Sequence, residues 1–462
     1  MSVVRASNFD VIVVGAGLTG LAAAATLVEE GRSVALLEKQ PSPGGSTAMS
    51  GGWFAFSGTE EQARDGIDDD DETFIAEMRE TGEGRTDEGL LRAYVENQHE
   101  AYVWMKGFAA SVGVVKVSSG QTRARSHHVD IHALLRALRE RVEQHSSSAI
   151  LTGCRARRLI VGEDGSVAGV EAVTPGGTTR YLSRGGVILA TGGFSRSREL
   201  LEIFAPEQNA GIPYGGAGNT GDGLTMAWQL GAGFRDMGYV RGTFGSHPLT
   251  GEDEHELLTA NYMGAIIVNE QGRRFADESV SYKTLGSKVL EQSGGLGFEI
   301  FDAVVRAKSQ PGIPLSDIDH LEAKGHLFKA DTIEGLADAA GINSAGLVQQ
   351  VARYNTALEA GEPDEFGRTG LVSGVGELLP IVQPPFYAYP AKSLMTSTYA
   401  GLTVTPKAEV LRVDGTTIDG LYAAGELVGG FHGAAYMTGT SLSKSLIFGR
   451  VAACEAAASL AR

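Results

Sequence analysis

A glycine-rich turn near the start of the chain restricts the fold more than any other feature of the sequence. Gly15, Gly17 and Gly20 are spaced as G-x-G-x-x-G, after an apolar strand predicted over 10–14 and before a helix predicted over 18–30. Glycines in this arrangement let the backbone approach a pyrophosphate at the positive end of the helix. The turn therefore predicts a dinucleotide-binding βαβ unit.

An acidic residue completes that unit. A second strand predicted over 33–38 ends in Glu38, whose carboxylate can accept a hydrogen bond from a ribose hydroxyl. The unit does not separate NAD from FAD. The apolar run from Val11 to Val28 is long enough to suggest a membrane span, but the three glycines interrupt it, so we expect no integral membrane segment.

Charge and cysteine content exclude several classes of function. A formal net charge of −17 over 462 residues argues against nucleic acid as a partner, because polyanions attract Lys and Arg. Cys154 and Cys454 form no motif for a disulfide framework, an iron–sulfur cluster or a c-type haem. The acidic run 68–72 is interpreted as a solvated loop or helix entry, and no metal site is predicted. The first strand begins within ten residues of Met1, which favours a cytoplasmic protein.

Further motifs resemble those of the large family of FAD-dependent oxidoreductases that includes the flavoproteins of fumarate reductase and succinate dehydrogenase and the 3-ketosteroid dehydrogenases. The resemblance extends over nearly the whole chain. It is carried by Gly44-Gly45-Ser46-Thr47, Ser50-Gly51-Gly52, Thr191-Gly192-Gly193, Asn219-Thr220-Gly221-Asp222-Gly223 and Leu421-Tyr422-Ala423-Ala424-Gly425-Glu426.

The resemblance implies an α/β fold with a Rossmann-like FAD-binding domain of the glutathione-reductase type and an inserted α+β substrate-capping domain. Near residue 239 the predicted elements change to a mixture of strands and helices, and after Pro384 and Pro385 they return to strands and turns. These two changes give the expected domain boundaries. The FAD-binding domain is expected over 1–238 and 383–462, and the capping domain over 239–382.

The resemblance also assigns the residues that hold FAD. Ser46 stands where succinate dehydrogenases carry a flavin-linked His, so we expect non-covalent FAD. Ser441 and Leu442 begin the last predicted helix, whose positive end would face the flavin pyrimidine edge and favour the anionic reduced flavin. The expected FAD contacts are Gly15, Gly17, Leu18, Thr19, Gly20, Glu38, Lys39, Gly45, Ser46, Thr47, Ser50, Gly51, Gly52, Ala156, Thr191, Gly192, Gly193, Asn219, Asp222, Gly425, Glu426, Ser441 and Leu442.

Two tyrosines mark departures from the fumarate reductases. Those enzymes place a proton-donating Arg a few residues after an Arg-Phe-x-x-Glu stretch, and here the stretch 274–278 is followed by Tyr282. They grip a substrate carboxylate with a second Arg, and in the matching segment 431–436 that place holds Tyr436. Their substrate-binding His is replaced by the run 396–399.

A phenol is a single neutral donor that suits a ketone oxygen, whereas paired guanidiniums suit a dicarboxylate. The 3-ketosteroid dehydrogenases use tyrosines at these two kinds of position. The resemblance therefore implies a dehydrogenase, or desaturase, that introduces a C=C bond α,β to a ketone in a cyclic or steroid-like substrate. Tyr436, with a backbone amide near Gly439 or Thr440, would polarise the ketone. Tyr282 would remove the α-proton, and the β-hydride would pass to flavin N5.

A tyrosine with an ordinary pKa near 10 is a poor base at neutral pH, so the site must lower that pKa or relay the proton onward. The candidates for a relay or a neighbouring role are Tyr399, His127, His128 and His247.

Two alternatives stay open. The first is an enzyme that acts on a carboxylic acid, either a reductase like the fumarate reductases or a dehydrogenase like tricarballylate dehydrogenase, which the segment 385–402 also resembles. Arg123, Arg125 and Arg241 could then bind a carboxylate. A flavin-binding protein without enzymatic activity is the other alternative. For an enzyme, the electron acceptor is unidentified and would be a diffusible acceptor, quinone, oxygen or a partner protein.

Overall fold

A computed structural model describes residues 5–108, 111–240, 242–251, 254, 256–362 and 364–461. Arg241, one of the arginines proposed to bind a carboxylate, lies outside the described residues. The strands are β1 (Arg5–Phe9), β2 (Val11–Val14), β3 (Val34–Leu37), β4 (Trp53–Ala55), β5 (Val112–Lys116), β6 (Ser126–Val129), β7 (Ala149–Leu151), β8 (Arg155–Val161), β9 (Val167–Thr174), β10 (Gly177–Ser183), β11 (Val187–Leu189), β12 (Ile212–Pro213), β13 (Phe234–Arg235), β14 (Thr243–Ser246), β15 (Ile266–Val268), β16 (Leu296–Phe301), β17 (Phe328–Ala330), β18 (Phe386–Met395), β19 (Gly401–Leu402), β20 (Glu409–Leu411) and β21 (Thr417–Ala423).

The α-helices are α1 (Leu18–Glu29), α2 (Glu60–Arg64), α3 (Asp71–Thr81), α4 (Glu88–Lys106), α5 (Ile131–Glu143), α6 (Arg198–Phe204), α7 (Asp222–Trp228), α8 (Tyr282–Leu290), α9 (Ala303–Arg306), α10 (Ile318–Ala323), α11 (Ile333–Ala340), α12 (Ser344–Ala360) and α13 (Thr440–Ser459). Short 3-10 helices cover Gly45–Met49, Pro206–Ala210, Met237–Tyr239, Ala260–Tyr262, Ser293–Gly295 and Gly425–Leu427.

A parallel sheet forms the centre of the molecule, in the order β20-β21-β11-β2-β3-β7. Its strands from β21 to β7 pair in parallel, and β20 joins antiparallel at the edge. Strands β2, β3 and β11 are buried along their whole length, as expected for strands covered on both faces. The carboxyl ends of β2, β11 and β21 therefore open at the same edge, where ligands bind in such sheets.

Two further sheets flank this centre. Strands β8, β9 and β10 form an antiparallel meander, with β1 added in parallel to β10. A second mixed sheet has the order β12-β18-β16-β15, and β14 and β17 also pair with the long strand β18. The α/β fold class expected from the sequence is confirmed.

The second mixed sheet bears on the expected domain boundaries. Helices α11 and α12 pack against it through a core separate from the main one. The sheet also contains β18, which begins beyond residue 383, and β12, which precedes residue 239. The boundaries at 239 and 383 stay a prediction, and the sheet itself draws on residues from both sides of them.

Helices α1 and α13 cross at very close range. Residues 22–25 of α1 are all alanine and buried, and α13 offers small residues in return. A Cβ on Gly449 of α13 would lie 2.6 Å from the Thr19 carbonyl oxygen of α1. The glycine is therefore required for this packing, which brings the N-terminal ends of both helices to the edge of the central sheet.

The local elements agree with the sequence in most places. The first βα unit and the closing helix lie within two residues of the bounds expected from the sequence. Strands β7 and β8 are separated by a turn at Gly153 with φ +63°. Among the described residues, no helix combines the length and the apolar composition needed to cross a bilayer.

Gly20 provides a test of the close packing at the first turn. A Cβ at this position would lie 1.8 Å from the Gly15 carbonyl oxygen, so Gly20→Ala must move α1 away from β2. We expect the free energy of unfolding to fall by about 3 kcal/mol, at the upper end of overpacking effects. The measurement is chemical denaturation, with Gly238→Ala as the matched control, because a Cβ on Gly238 meets no atom within 4 Å. Equal stability of the two variants would contradict the packing argument.

Candidate active site

A cavity of about 440 Å³ runs from the first βα turn to the second mixed sheet. The carboxyl ends of β2, β3 and β11 and the N-terminal ends of α1 and α13 border it at one side. Thr243, Leu257 and Leu315 border it at the other. The cavity thus lies between the central parallel sheet and the mixed sheet.

Most residues expected to hold FAD line this cavity. They are Gly15, Gly17, Leu18, Thr19, Glu38, Lys39, Gly45, Ser46, Thr47, Ser50, Gly51, Ala156, Thr191, Gly192, Asn219, Asp222, Glu426, Ser441 and Leu442. Four expected glycines lie behind its wall instead, at Gly20, Gly52, Gly193 and Gly425. Each is needed for packing, since a Cβ there would come within 1.8 to 2.2 Å of a neighbouring oxygen atom.

The first turn has the geometry of a nucleotide site. Gly15 has a φ of +102°, and α1 begins after it without a side-chain cap, so the positive end of the helix faces the cavity. The Glu38 carboxylate is held by two backbone amides, those of Ala16 at 2.9 Å and Gln40 at 2.8 Å. A carboxylate has acceptor capacity beyond two hydrogen bonds, so Glu38 can still accept from a ribose hydroxyl.

Glu426 joins three distant parts of the chain beside the cavity. One carboxylate oxygen accepts from the Thr398 amide at 2.8 Å, and the other accepts from the Asn219 side-chain amide at 3.0 Å. Asn219 also donates to the Ser46 hydroxyl at 3.0 Å, and the Gly216 amide donates to the same hydroxyl at 2.8 Å. The motifs around residues 46, 219 and 426 therefore meet through a single hydrogen-bonded group.

Asp222 anchors a second contact between motifs. It pairs with Lys39 at 2.9 Å and with Arg155 at 3.0 Å. Burial raises the pKa of the Asp222 carboxyl, but the hydrogen bonds from Arg155 and Lys39 outweigh this effect and hold that pKa below its usual range. The Lys39 charge is thus neutralised by Asp222.

Three tyrosines meet at the opposite end of the cavity. The Tyr399 and Tyr436 rings are stacked with centroids 4.8 Å apart, and the Tyr282 ring lies 6.1 Å from that of Tyr436. Tyr282 is the first residue of α8, and the Ser281 hydroxyl before it donates to the Tyr436 carbonyl oxygen at 3.3 Å. The two segments singled out in the sequence are therefore in direct contact.

Each of two phenol oxygens accepts a hydrogen bond from the protein. The Gly439 amide donates to the Tyr436 hydroxyl at 2.8 Å, and the Thr438 hydroxyl donates to the Tyr282 hydroxyl at 3.2 Å. The Tyr282 hydroxyl in turn donates to Tyr436, so the hydrogen of the Tyr436 phenol is the one left for an acceptor in the cavity. This end of the cavity suits a ligand oxygen such as a carbonyl.

The pKa values of these tyrosines are raised, so of the two expected ways to make a tyrosine a base, a lowered pKa and a proton relay, the first does not apply. Burial raises the pKa of Tyr436 to about 12, although hydrogen bonds from the Gly439 amide and the Tyr282 hydroxyl act in the opposite direction. Burial, followed by the proximity of the other tyrosines, raises the pKa of Tyr282 and of Tyr399 well above 10. The three phenols are thus neutral at physiological pH.

Tyr399 occupies an unusual backbone conformation. Its φ is +54°, in the left-handed region that a bulky residue rarely adopts. Such strain persists only where the surroundings enforce it, and it is common at ligand sites. Here the Tyr399 ring is fixed between the Tyr436 ring on one face and the Lys283 ammonium on the other, 4.9 Å from the ring centroid.

The arrangement fits FAD. The end of the cavity at the first turn offers backbone amides, a helix N-terminus and the Glu38 carboxylate, which suit the adenosine diphosphate half. Ser441 and Leu442 lie at the start of α13 and line the cavity, as a helix terminus facing the flavin ring would.

Comparison with known proteins identifies the family. Residues 10–442 match the family described as FAD binding domain. The chain belongs to this family. It binds FAD and is an oxidoreductase that acts on C–C bonds, as the sequence predicted.

The relatives of this flavoprotein include several reductases. A probable fumarate reductase of Shewanella frigidimarina is 31% identical over 97% of this chain and 74% of its own length. A urocanate reductase of Eggerthella lenta is 31% identical over 98% of this chain and 75% of its own length. The structure of a 3-ketosteroid delta1-dehydrogenase from Sterolibacterium denitrificans superimposes with a TM-score of 0.81, covering 98% of this chain and all of that one, at 23% identity. This last likeness confirms the fold.

Arg123 and Arg125, two of the arginines considered for a carboxylate, do not line the cavity of the flavoprotein. Arg125 is fully buried and paired with Glu77 and with Asp69, whose Oδ2 lies 2.7 Å from its Nε. Arg123 is exposed on the surface. Neither supplies the cationic grip that an acid substrate would need.

The histidines proposed as relays also lie elsewhere. His127 bonds the Thr59 hydroxyl at 2.8 Å and the Arg125 carbonyl at 2.6 Å, His128 packs on Trp53, and His247 stacks on His326 with centroids 3.9 Å apart. None of the three lines the cavity. Thr440 is also turned away, since its hydroxyl donates to the Met437 carbonyl at 2.7 Å.

Two polar residues near the tyrosines were missed in the sequence. His432 packs against the Tyr399 and Tyr436 rings, and its Nε2 has no hydrogen-bond partner among the described residues. Burial, aided by Lys444 and Lys283, lowers the pKa of His432 well below its usual range, so the ring is neutral. Lys283 lies one residue after Tyr282. This adjacency to a motif position is the only feature of the sequence that could have indicated a role for Lys283.

Arg125 provides a test of this reassignment. Arg125→Met would leave Asp69 and Glu77 as buried carboxylates without a cation, so we expect the free energy of unfolding to fall by about 3 to 5 kcal/mol. The measurement is chemical denaturation, with the exposed Arg123→Met as control. If Arg125→Met keeps the stability of the wild type but loses affinity for a carboxylate ligand, Arg125 belongs to the substrate site after all.

Proposed function

We propose that this flavoprotein transfers hydrogen at a C–C bond next to a ketone in a cyclic or steroid-like substrate. The observation that carries the proposal is the cluster of three neutral tyrosines at the end of the cavity. The Tyr436 hydroxyl accepts from the Gly439 amide and from Tyr282, so its own hydrogen can be donated to a carbonyl oxygen. Bound FAD would supply hydride transfer at its N5 atom.

The residues act on the proton and on the carbonyl. Tyr436 donates a hydrogen bond to the ketone oxygen and stabilises the negative charge that develops there. Tyr282 exchanges the proton at the α-carbon while the β-carbon exchanges a hydride. In reduction, the C=C bond gains one hydride and one proton and becomes CH–CH, and dehydrogenation is the reverse.

The protonation state of the tyrosines bears on the direction. The sequence suggested a desaturase, in which Tyr282 must be a base. The raised pKa values make the phenols proton donors, which suits reduction of an enone better than desaturation of a ketone. Together with the reductases among the relatives, these neutral phenols favour enone reduction, with desaturation as its reverse.

A carboxylic acid substrate is the second candidate. The fumarate and urocanate reductases among the relatives favour it, since both names refer to unsaturated acids. Against it, Tyr282 and Tyr436 stand at the places of the family's proton-donating and carboxylate-binding arginines. Non-covalent FAD, a cytoplasmic location and a separate redox partner stay predictions.

Anaerobic reactions with a substrate panel decide between these functions. We expect the dithionite-reduced enzyme to be reoxidised by cyclic and steroid enones, and the oxidised enzyme to be bleached slowly by the matching saturated ketones. Reoxidation by fumarate-like acids and by no enone would overturn the ketone assignment. Failure of every compound would favour a flavin-binding protein without this activity.

Tyr282→Phe tests the proton exchange. Loss of the hydroxyl should lower kcat for enone reduction by a factor of about 10² to 10⁴, the range for a removed general acid, while FAD stays bound. Stopped-flow absorbance of the flavin measures the rate. Tyr354→Phe is the matched control, because this buried tyrosine donates to the Leu379 carbonyl oxygen far from the cavity. A rate equal to that of the control would remove Tyr282 from the mechanism.

The pH dependence should differ between the two directions. Below the raised pKa the phenol fraction is constant, so between about pH 6 and 9 enone reduction should show no titration of these tyrosines. The phenolate fraction rises about tenfold per pH unit in the same range, and desaturation should accelerate accordingly. Single-turnover rates in both directions provide the measurement. A desaturation rate independent of pH would contradict a tyrosine base.

A further inference from the structure

Lys283 is a buried cation beside the proposed active site. Its side chain is 1% exposed and belongs to α8, directly after Tyr282. The ammonium donates to the Thr396 hydroxyl at 2.9 Å and lies over the Tyr399 ring. Among the described residues, no carboxylate lies within ion-pair distance of it.

An unpaired buried ammonium is costly to the fold. Three titratable groups lie near it on neighbouring segments, namely Tyr399, Glu426 and His432. Only Glu426 attracts its charge, and that carboxylate is committed to Thr398 and Asn219. An apolar side chain would stabilise this buried position more than a lysine does, so Lys283 has a role other than packing.

The hydroxyls next to Lys283 form a chain that ends at the cavity. Thr396 and Thr243 both line the cavity, and their hydroxyl oxygens are 3.0 Å apart. A lysine ammonium can only donate, and each threonine has one hydrogen to donate. One hydroxyl hydrogen is used between the two threonines, and one remains without an acceptor among the described residues.

We propose that Lys283 is a positioning residue that, through Thr396, makes the Thr243–Thr396 pair a donor subsite for a second oxygen of the substrate. The inference rests on the proposed function and adds to it. The substrate would carry one oxygen at Tyr436 and another at the threonine pair, on the far side of the Tyr399 ring. A carbonyl, a hydroxyl or a carboxylate oxygen would fit.

Protonation of Lys283 should control this subsite. Burial lowers the pKa of Lys283 to about 7, with Glu426 acting in the opposite direction. Below that pKa the ammonium fixes Thr396 as an acceptor from Lys283. Above it, the neutral amine can accept the Thr396 hydrogen, so the subsite loses its outward donor.

Three steroid probes test the subsite on the FAD-loaded enzyme. 4-Androsten-3-one has one oxygen, 4-androstene-3,17-dione has a second carbonyl, and 3-oxo-4-androstene-17-carboxylic acid has a carboxylate. Affinities come from perturbation of the flavin spectrum at pH 6 and pH 9, and KM and kcat are measured separately. We expect the probes with a second oxygen to bind about tenfold to a hundredfold more tightly at pH 6, as for a charge-assisted hydrogen bond, and less so at pH 9.

Variants separate this role from a structural one. Lys283→Met and Thr396→Val should abolish the preference through KM with little change in kcat, and Lys283→Arg should retain part of it. Lys288→Met is the control, since Lys288 is an exposed residue of the same helix paired with Glu291. At pH 6, Lys283→Met should have a melting temperature equal to or above that of the wild type, because an unpaired buried charge is removed.

The outcomes are distinct. Equal affinity of the wild type for all three probes, or a preference that survives in Lys283→Met and Thr396→Val, overturns the inference and leaves the proposed function intact. If the acid binds best, the second oxygen is a carboxylate and the subsite is supported. If the wild type neither binds nor reduces any probe, both the inference and the proposed function fail.

Discussion

Close contact between backbones at the first turn is the constraint on which the rest of the structure depends. The turn can pass the end of β11 because Gly15 carries no Cβ, α1 can rest on the turn because Gly20 carries none, and α13 can rest on α1 because Gly449 carries none. These contacts set the positions of two helix N-termini at one edge of the parallel sheet. Both termini border the cavity, where their positive ends favour an anionic ligand.

Buried charges in this protein fall into two kinds. Arg125 is matched by Asp69 and Glu77, and Arg274 lies against Glu278 at 2.6 Å and Asp364 at 2.7 Å. Such groups hold a segment in place, and the Arg274 group fixes the chain just before Tyr282. Lys283 has no carboxylate partner of this kind among the described residues, and for this reason we assign it a role in ligand binding.

Features that depend on the spacing of residues close together in the chain were predicted well from the sequence. The first βα unit was predicted correctly because its glycine and acid positions follow directly from a strand, a turn and a helix. Tyr282 and Tyr436 were singled out through motifs, although residues more than 150 positions apart had to meet. That they contact one another follows only from the folded chain.

Properties that arise from burial were not predictable. The direction of the tyrosine pKa shifts depends on how much solvent the folded chain excludes, and the raised values remove one of the two expected alternatives, a lowered pKa. Arg125 and His127 were reasonable candidates in the sequence, but both are satisfied by partners that come from other segments. Lys283 went unnoticed because a lysine in a helix is usually on the surface.

The strained backbone of Tyr399 has a consequence for molecular recognition. The Tyr399 ring is held between the Lys283 ammonium and the Tyr436 ring. The distance between the tyrosine end and the threonine end of the cavity is therefore fixed. A flexible side chain here would let the two ends adapt to ligands of many lengths. Because the Tyr399 side chain is rigid, the two ends stay at a fixed distance. The enzyme would therefore select substrates by the distance between their two oxygens as well as by their shape.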